Sequence, residues 1–409
     1  MASGEDEGTI STGGNFLDKI PRNVLFLIIT LAVNNLTLSY LIIVITAYLP
    51  QIGVTTQTIG LLLGVEGLSM AVSAIPFGII SDRRGRKWII ISGIIGATPL
   101  FFIVALTTDV TLLVVGGALA GILEGAYLAT VNAMIADQTT LENRDSAFTL
   151  SFILVGGASS IGTALPLIIP PLSGVLGISF QAVHSDILIL FGVFSLVSPA
   201  VIYMVLRGYR EKPNPEGKLW RGASTRRVIK FSMINSLIGL GAGFIMPLIP
   251  TWLYLKFALP DTYSGPVLAV ASLTIGLAAV FSPRLAKRLG SVGAIALTQG
   301  LSVIFMLSLA FVGNVTLALG VYIVRTMLMN MSQPLADSFL MSIVEPDERG
   351  FASSINSVIW RIPNSVTTIV GGAILASGDY TLPFLLAAAF YAVGIPLFYF
   401  IFRNTKAKA

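Results

Sequence analysis

Residues Val24–Leu49, VLFLIITLAVNNLTLSYLIIVITAYL, contain no charged side chain. A helix that crosses ~30 Å of hydrocarbon needs about 20 predominantly apolar residues at ~1.5 Å per residue. Eleven further runs meet that requirement: Ile59–Ile80, Trp88–Leu106, Leu112–Ala136, Ala147–Leu172, Ile187–Leu206, Val228–Leu255, Pro266–Leu285, Val292–Phe311, Val315–Ile343, Phe351–Ala376 and Leu382–Phe402. None alternates over about ten residues as the strands of a membrane barrel would. The expected fold is therefore an all-α integral membrane protein with twelve transmembrane helices. Composition agrees, since a soluble chain with 55% hydrophobic and 11% charged residues and a mean hydropathy of +0.86 would aggregate.

The chain before the first run is polar and acidic (Glu5, Asp6, Glu7). It does not read as a cleavable signal peptide, because the run that follows is too long for a signal core. Phe16, Leu17 and Ile20 suit one face of a short interfacial helix, or a plain disordered tail. Cysteine is absent, which excludes disulfides and thiolate metal sites. No cofactor or metal is expected.

Cations set the topology. With the N-terminus inside, 22 of the 25 Lys and Arg residues fall in inner segments; Lys256 is outside, and Arg325 and Arg361 lie within runs. This bias puts both termini in the cytoplasm. The longest polar stretch, Arg207–Arg227 (RGYREKPNPEGKLWRGASTRR), then divides the chain into two sets of six runs. The expected organisation is a cytoplasmic tail at 1–23, a six-helix bundle at 24–206, a cytoplasmic linker at 207–227, a second bundle at 228–402 and a tail at 403–409.

The two sets repeat. Asn35 and Pro50 correspond to Asn235 and Pro250 at an offset of 200; Gly85 corresponds to Gly290, and Arg144-x-x-Ala147 to Arg349-x-x-Ala352, at 205. A longer connection after run 7, KFALPDTYSG, accounts for the change. Parallel halves related by an axis along the membrane normal form a transporter architecture, with the solute site between them at mid-depth. The fold class is thus two pseudo-symmetric six-helix bundles.

Between runs 2 and 3 lies GIISDRRGRK. It fits G-x-x-x-D-R-x-G-R-K at Gly78, Asp82, Arg83, Gly85, Arg86 and Lys87. With twelve runs and a central basic loop, the chain resembles the major facilitator superfamily over its whole length. That resemblance implies a charge relay in which Asp82 faces the start of run 11 near Phe351, and Arg86 pairs with an acid at the inner end of run 4, here Asp137. Physical chemistry is consistent with it: a carboxylate at a helix N-terminus gains ~0.3–1 kcal/mol, and up to ~2 when partly buried. In the twin loop, SPRLAKRLG, the cations persist but Lys287 stands in place of Asp82. The acid is therefore not needed merely to anchor a loop, which favours a one-sided latch.

The resemblance has departures. Drug–proton antiporters of this superfamily usually carry arginine in run 4 within l-x-x-x-R-x-x-q-G. Here GALAGILEG places Gly121 at the arginine position, Glu124 at the q position and Gly125 at the glycine. In run 5, GGASSIGTALP keeps Gly157 and Gly162 of the antiporter motif, while Pro166 falls four residues after Gly162 instead of directly after it.

Four charges lie toward the middle of runs, away from their inner ends: Glu66, Glu124, Arg325 and Arg361. A charge near the bilayer centre costs at least ~2.5–3.5 kcal/mol and is a functional candidate by default. The resemblance implies that runs 1, 4, 7 and 10 line a central cavity and that 2, 5, 8 and 11 gate it; all four charges are on those runs. One reading is mutual neutralisation as buried pairs, with Glu124 and Arg325 the leading pair. The functional reading makes Glu124 the proton or cation carrier, since a desolvated carboxylate readily takes a proton. Arg325 is then its partner or an anion hook, Arg361 a second hook or gate residue, and Glu66 second choice for coupling. Asn34, Asn35, Tyr40, Asn132, Asn235, Asn330 and Gln333 are polar cavity candidates that equally suit helix–helix hydrogen bonds. Trp360 suits ligand stacking or packing, and Asp337 a local cap or gate partner. His184, the single histidine, falls in the outer loop between runs 5 and 6, away from any central relay. Gly239, Gly241, Gly243, Pro247 and Pro250 make run 7 easy to bend. Pro363 could kink run 11, and Gly371-Gly372 permit close packing.

No Walker sequence, HExxH or GxSxG occurs, so neither an ATP-driven pump nor an enzyme is expected. The expectation is a monomeric, multi-pass cell-membrane protein without nucleic-acid partners. It moves a small organic solute by alternating access with protons as the coupling ion. Two intramembrane arginines favour an organic anion; an amphipathic-cation efflux antiporter is the alternative. A channel, or a substrate-gated sensor on the same fold, is the competing class.

Overall fold

The computed structural model describes residues 20–209, 225–345 and 348–405. Within these, some side chains are not described, among them those of Asp82, Asn132, 275–280 and 349–351. Twelve helical spans follow one another, with no strand among the described residues. Span α1 is Arg22–Ile43, prolonged by a π turn at Val44–Tyr48 and a 3-10 turn at Leu49–Ile52. Spans α2 (Thr56–Arg84), α3 (Lys87–Ile95 with Thr98–Leu106) and α4 (Val110–Asp137) follow. Span α5 is Leu141–Ala164 continued by Leu165–Ile168 and Ile169–Leu176, and α6 is Phe180–Val205. The second half holds α7 (Thr225–Gly243, Met246–Leu248 and Ile249–Phe257). Asp261–Phe311 is broken at Gly290 into α8 and α9. Spans α10 (Val315–Ser342), α11 (Arg349–Ala376) and α12 (Leu382–Phe402) complete it. Among the described residues, eleven of these are long and apolar enough to cross a membrane, and α8 makes the twelfth. Both chain ends therefore share one face, called here the terminal face; the other is the far face.

The repeat is visible in the backbone. Gly85 has φ 104° and ψ 158°, and Gly290 has φ 72° and ψ 160°. That region is essentially restricted to glycine, so the corresponding α2–α3 and α8–α9 turns use the same device. Pro50 and Pro250 both begin helical turns near the far face, after the regular helix of α1 and α7 has ended. The bend expected in α7 occurs between Gly243 and Met246.

Glycines set how closely spans approach. Along α4, Gly117, Gly121 and Gly125 recur every four residues, on one helical face. A Cβ at these positions would lie 3.3 Å from the Leu62 carbonyl oxygen, 2.1 Å from that of Glu66 and 2.6 Å from that of Met70. Spans α2 and α4 thus pack backbone against backbone. Spans α2 and α11 meet similarly across the two halves: a Cβ on Gly60 would be 2.8 Å from Cα of Gly372, and one on Gly67 would be 2.3 Å from the Ser365 hydroxyl. The pairing puts Gly371-Gly372 to the expected use.

Three buried apolar clusters divide the interior. One joins residues of both halves toward the far face, including Tyr48, Leu49, Val54, Leu248, Trp252 and Phe384. A second lies toward the terminal face of the first half only (Val24, Leu27, Ile90, Met134, Leu206). The third lies there in the second half only (Val228, Phe231, Phe339, Ala352, Phe402). The molecule is fused on the far side and has two separate cores on the terminal side, the arrangement of an alternating-access bundle open toward its terminal face.

Candidate functional site

The α2–α4 packing brings the two intramembrane acids together. Glu66 sits on α2 where its carbonyl meets Gly121, and Glu124 is one residue before Gly125 on α4. Arg361 lies one turn before Ser365 on α11, which packs against Gly67 of α2. Glu66, Glu124 and Arg361 fall within electrostatic reach of one another, and all three are half-buried. Among the described residues no hydrogen bond or ion pair joins them, so two carboxylates of one half feel an arginine of the other without direct contact.

Arg325 does not join this group. It is buried within the second half, where its Nη2 donates to the Tyr391 hydroxyl at 3.2 Å. The expected Glu124–Arg325 pair is therefore not formed, and Arg361 is the arginine within electrostatic reach of Glu124. Equivalent span numbers placed residues 124 and 325 opposite each other, but the side chain of 325 turns toward α12 instead. Its Nε has no hydrogen-bond partner.

The polar candidates separate into three groups. The Asn235 side-chain amide donates to Oδ1 of Asn356 at 3.2 Å, joining α7 to α11. Asn35, Asn330 and Gln333 bond within their own helices, to Leu31, Thr326 and Asp337. Asn34 is buried, and Asn132 lies outside the described side chains. Tyr40 is fully buried, so it does not line a cavity; its hydroxyl meets His184. Trp360 packs against Gly239 of α7, which suits its packing role.

At the terminal face, Arg86 donates to the Asp137 carboxylate at 2.6 Å, and the Tyr209 hydroxyl donates to the same oxygen at 3.0 Å. The loop after α2, the end of α4 and the end of α6 are thereby tied together. Lys87 sits 4.2 Å over the Tyr203 ring. Arg83 is exposed, Gly78 half-buried, and Gly85 makes the turn. The side chains of Asp82 and Phe351, the two ends of the expected latch, lie outside the described residues.

A second polar cluster escaped the hydropathy pattern. His184 is not in a loop: Ser179 caps α6 by accepting from the Ala182 N–H, so the helix starts at Phe180. His184 is 1% exposed. Its Nδ1 is 2.9 Å from the Tyr40 hydroxyl and its Nε2 3.2 Å from Asp261 Oδ2. Gln51 donates to Asp261 Oδ1 at 2.9 Å, and the Tyr48 ring stacks on the imidazole at 3.8 Å. Polar residues at the starts of α6 and α8 hid these turns from an apolar-run count; the signal available was one acid beside a proline in the α7–α8 connection.

Comparison with known proteins fits this architecture. The family model of the Major Facilitator Superfamily matches residues 25–368 and 231–409. The inner membrane transport protein YajR of Escherichia coli is 36% identical over 120 residues, 29% of this chain and only a quarter (25%) of that relative. The class H tetracycline resistance protein of Pasteurella multocida is 26% identical over 86% of this chain and 88% of its own length. Among solved structures, an inward-facing, occupied bacterial homologue of the human lysosomal transporter Spinster superposes with a TM-score of 0.70 at 16% identity. That match covers 93% of this chain and 96% of the other. A chain that carries the family's pattern from end to end, on this twelve-span fold, belongs to the Major Facilitator Superfamily.

Proposed function

We propose that this membrane transporter exchanges protons for an amphipathic organic cation, using Glu66, Glu124 and Arg361 as the site of exchange. The observation that carries the reading is the meeting of two carboxylates and one arginine at mid-depth between the halves. One arginine balances one carboxylate. The second must carry a proton or a cationic ligand to avoid an uncompensated charge in a low-dielectric site. Binding one displaces the other, and that competition is coupling. The organic-anion expectation loses its main support, because Arg361 faces two acids and Arg325 is enclosed in the second half. A relative named for tetracycline resistance also favours export of lipophilic compounds.

On this reading the terminal face is cytoplasmic, following the cation bias, in the cell membrane. Both bundles that flank the site belong to one chain, so a monomer suffices. The bundles at 24–206 and 228–402 rock about the site. Asp82 latches α2 to the start of α11 when the cytoplasmic side closes, while Arg86 and Asp137 hold the loop in place.

The test is proton release on binding. Ethidium added to the purified protein in weakly buffered detergent solution should release about one proton per bound cation. Glu124→Gln should bind without release. Ethidium binding with no proton release in the wild type, or release unchanged in Glu124→Gln, contradicts the proposal. Benzoate serves as the anionic control and should not stabilise the protein.

A further inference from the structure

The His184–Asp261 cluster lies far from the central charges and bridges the halves at the far face. His184 belongs to α6, Tyr40, Tyr48 and Gln51 to α1, and Asp261 to the first turn of α8. The contact therefore crosses from one half to the other, beside the Thr251–Thr46 hydrogen bond that also joins them. Asp261 is 2% exposed, and its Oδ2, though 3.2 Å from His184 Nε2, is not aligned as a hydrogen bond and keeps an open acceptor site. The buried Tyr48 hydroxyl and the nearby Ser264 hydroxyl also lack partners. A buried carboxylate this short of donors is stabilised most by a full positive charge beside it.

We propose that His184 and Asp261 form a proton-binding latch that closes the far face when His184 is protonated. In the neutral imidazole, the Tyr40 hydroxyl donates to Nδ1, and Nε2 carries its hydrogen beside Asp261 without an aligned bond. The added proton enters at Nδ1, whose N–H then donates to the Tyr40 oxygen, because a hydroxyl can serve either role. Nε2–H···Oδ2 becomes an ion pair across the two halves. When the halves part on the far side, the imidazole loses its carboxylate partner. Protons therefore bind more tightly to the closed form, and by linkage lower pH favours closure.

The groups facing His184 are few: on α6 itself the nearest charge is the exposed Asp186, and the end of α5, Ile169–Leu176, which packs on α6, carries none. Span α1 presents the Tyr40 and Tyr48 hydroxyls and neutral Gln51; α8 presents Asp261. Span α3 meets α6 there through the Ala105 carbonyl, which accepts from Ser185; its sole charge is Lys87, at the other face. The latch goes beyond the exchange site and uses none of its residues.

The chain has no cysteine, so Gln57→Cys on α2 and Leu317→Cys on α10, both exposed positions at the far face, can carry a spin-label pair without interference. Distances are measured in nanodiscs by double electron–electron resonance. The ratio of closed to open far face should rise about fivefold from about pH 8 to about pH 5. His184→Gln, which keeps a hydrogen-bonding side chain without the titration, should abolish the rise, as should Asp261→Asn. Glu124→Gln should keep it. A rise that survives His184→Gln, a rise lost only in Glu124→Gln, or no rise in the wild type overturns the latch.

Discussion

Gly121 shows how one atom decides what a position can hold. Its Cβ would sit 2.1 Å from a backbone oxygen of α2, so the place where related antiporters keep an arginine has no room for any side chain here. The same closeness sets Glu124 beside Glu66. Gly121→Ala should cost about 1–3 kcal/mol through overpacking, read as a lower unfolding temperature in detergent, and should separate the two acids. An unchanged melting temperature would mean that α2 and α4 are farther apart than described. Gly290→Ala is a second case: its φ of 72° should cost about 1–3 kcal/mol of backbone strain. The four intramembrane charges were legible in the sequence because they interrupt apolar runs. Their pairing was not, because pseudo-equivalent span numbers do not fix which way Arg325 points.

Spans and their ends carry the next set of consequences. Asp82→Asn should leave insertion and melting temperature unchanged while slowing transport severalfold, since the latch acts only in the closed state. Wild-type turnover in that variant would remove the latch from the mechanism. On the far side, Asp379 accepts from the N–H groups of Thr381 and Leu382 at the start of α12. These bonds hold its carboxyl below the ordinary carboxylate range. Its stabilising effect is therefore full near neutral pH and fades as pH falls through the lowered value. Asp379→Ala should melt earlier than wild type at pH 7 and converge with it in strong acid, once the carboxyl is protonated; a constant gap would mean the carboxylate does not cap the span. The apolar runs gave the span order directly. They missed the polar first turns of α6 and α8, because His184 and Asp261 are buried by pairing and not by hydrophobicity.

For the whole molecule, one fused core on the far side and two separate cores on the terminal side describe a machine open in one direction. The repeat was legible from Gly85 and Gly290, which share a backbone conformation only glycine adopts readily. The open direction was not legible, since either face of such a repeat could close. The central claim is that opening and closing exchange a proton for a cation at Glu124. It is tested by loading proteoliposomes to an acidic interior and following ethidium. Wild type should accumulate the dye against its gradient, while Glu124→Gln should lose that accumulation yet still exchange labelled for unlabelled ethidium. Wild-type accumulation in Glu124→Gln, under the same imposed pH gradient, would contradict the account.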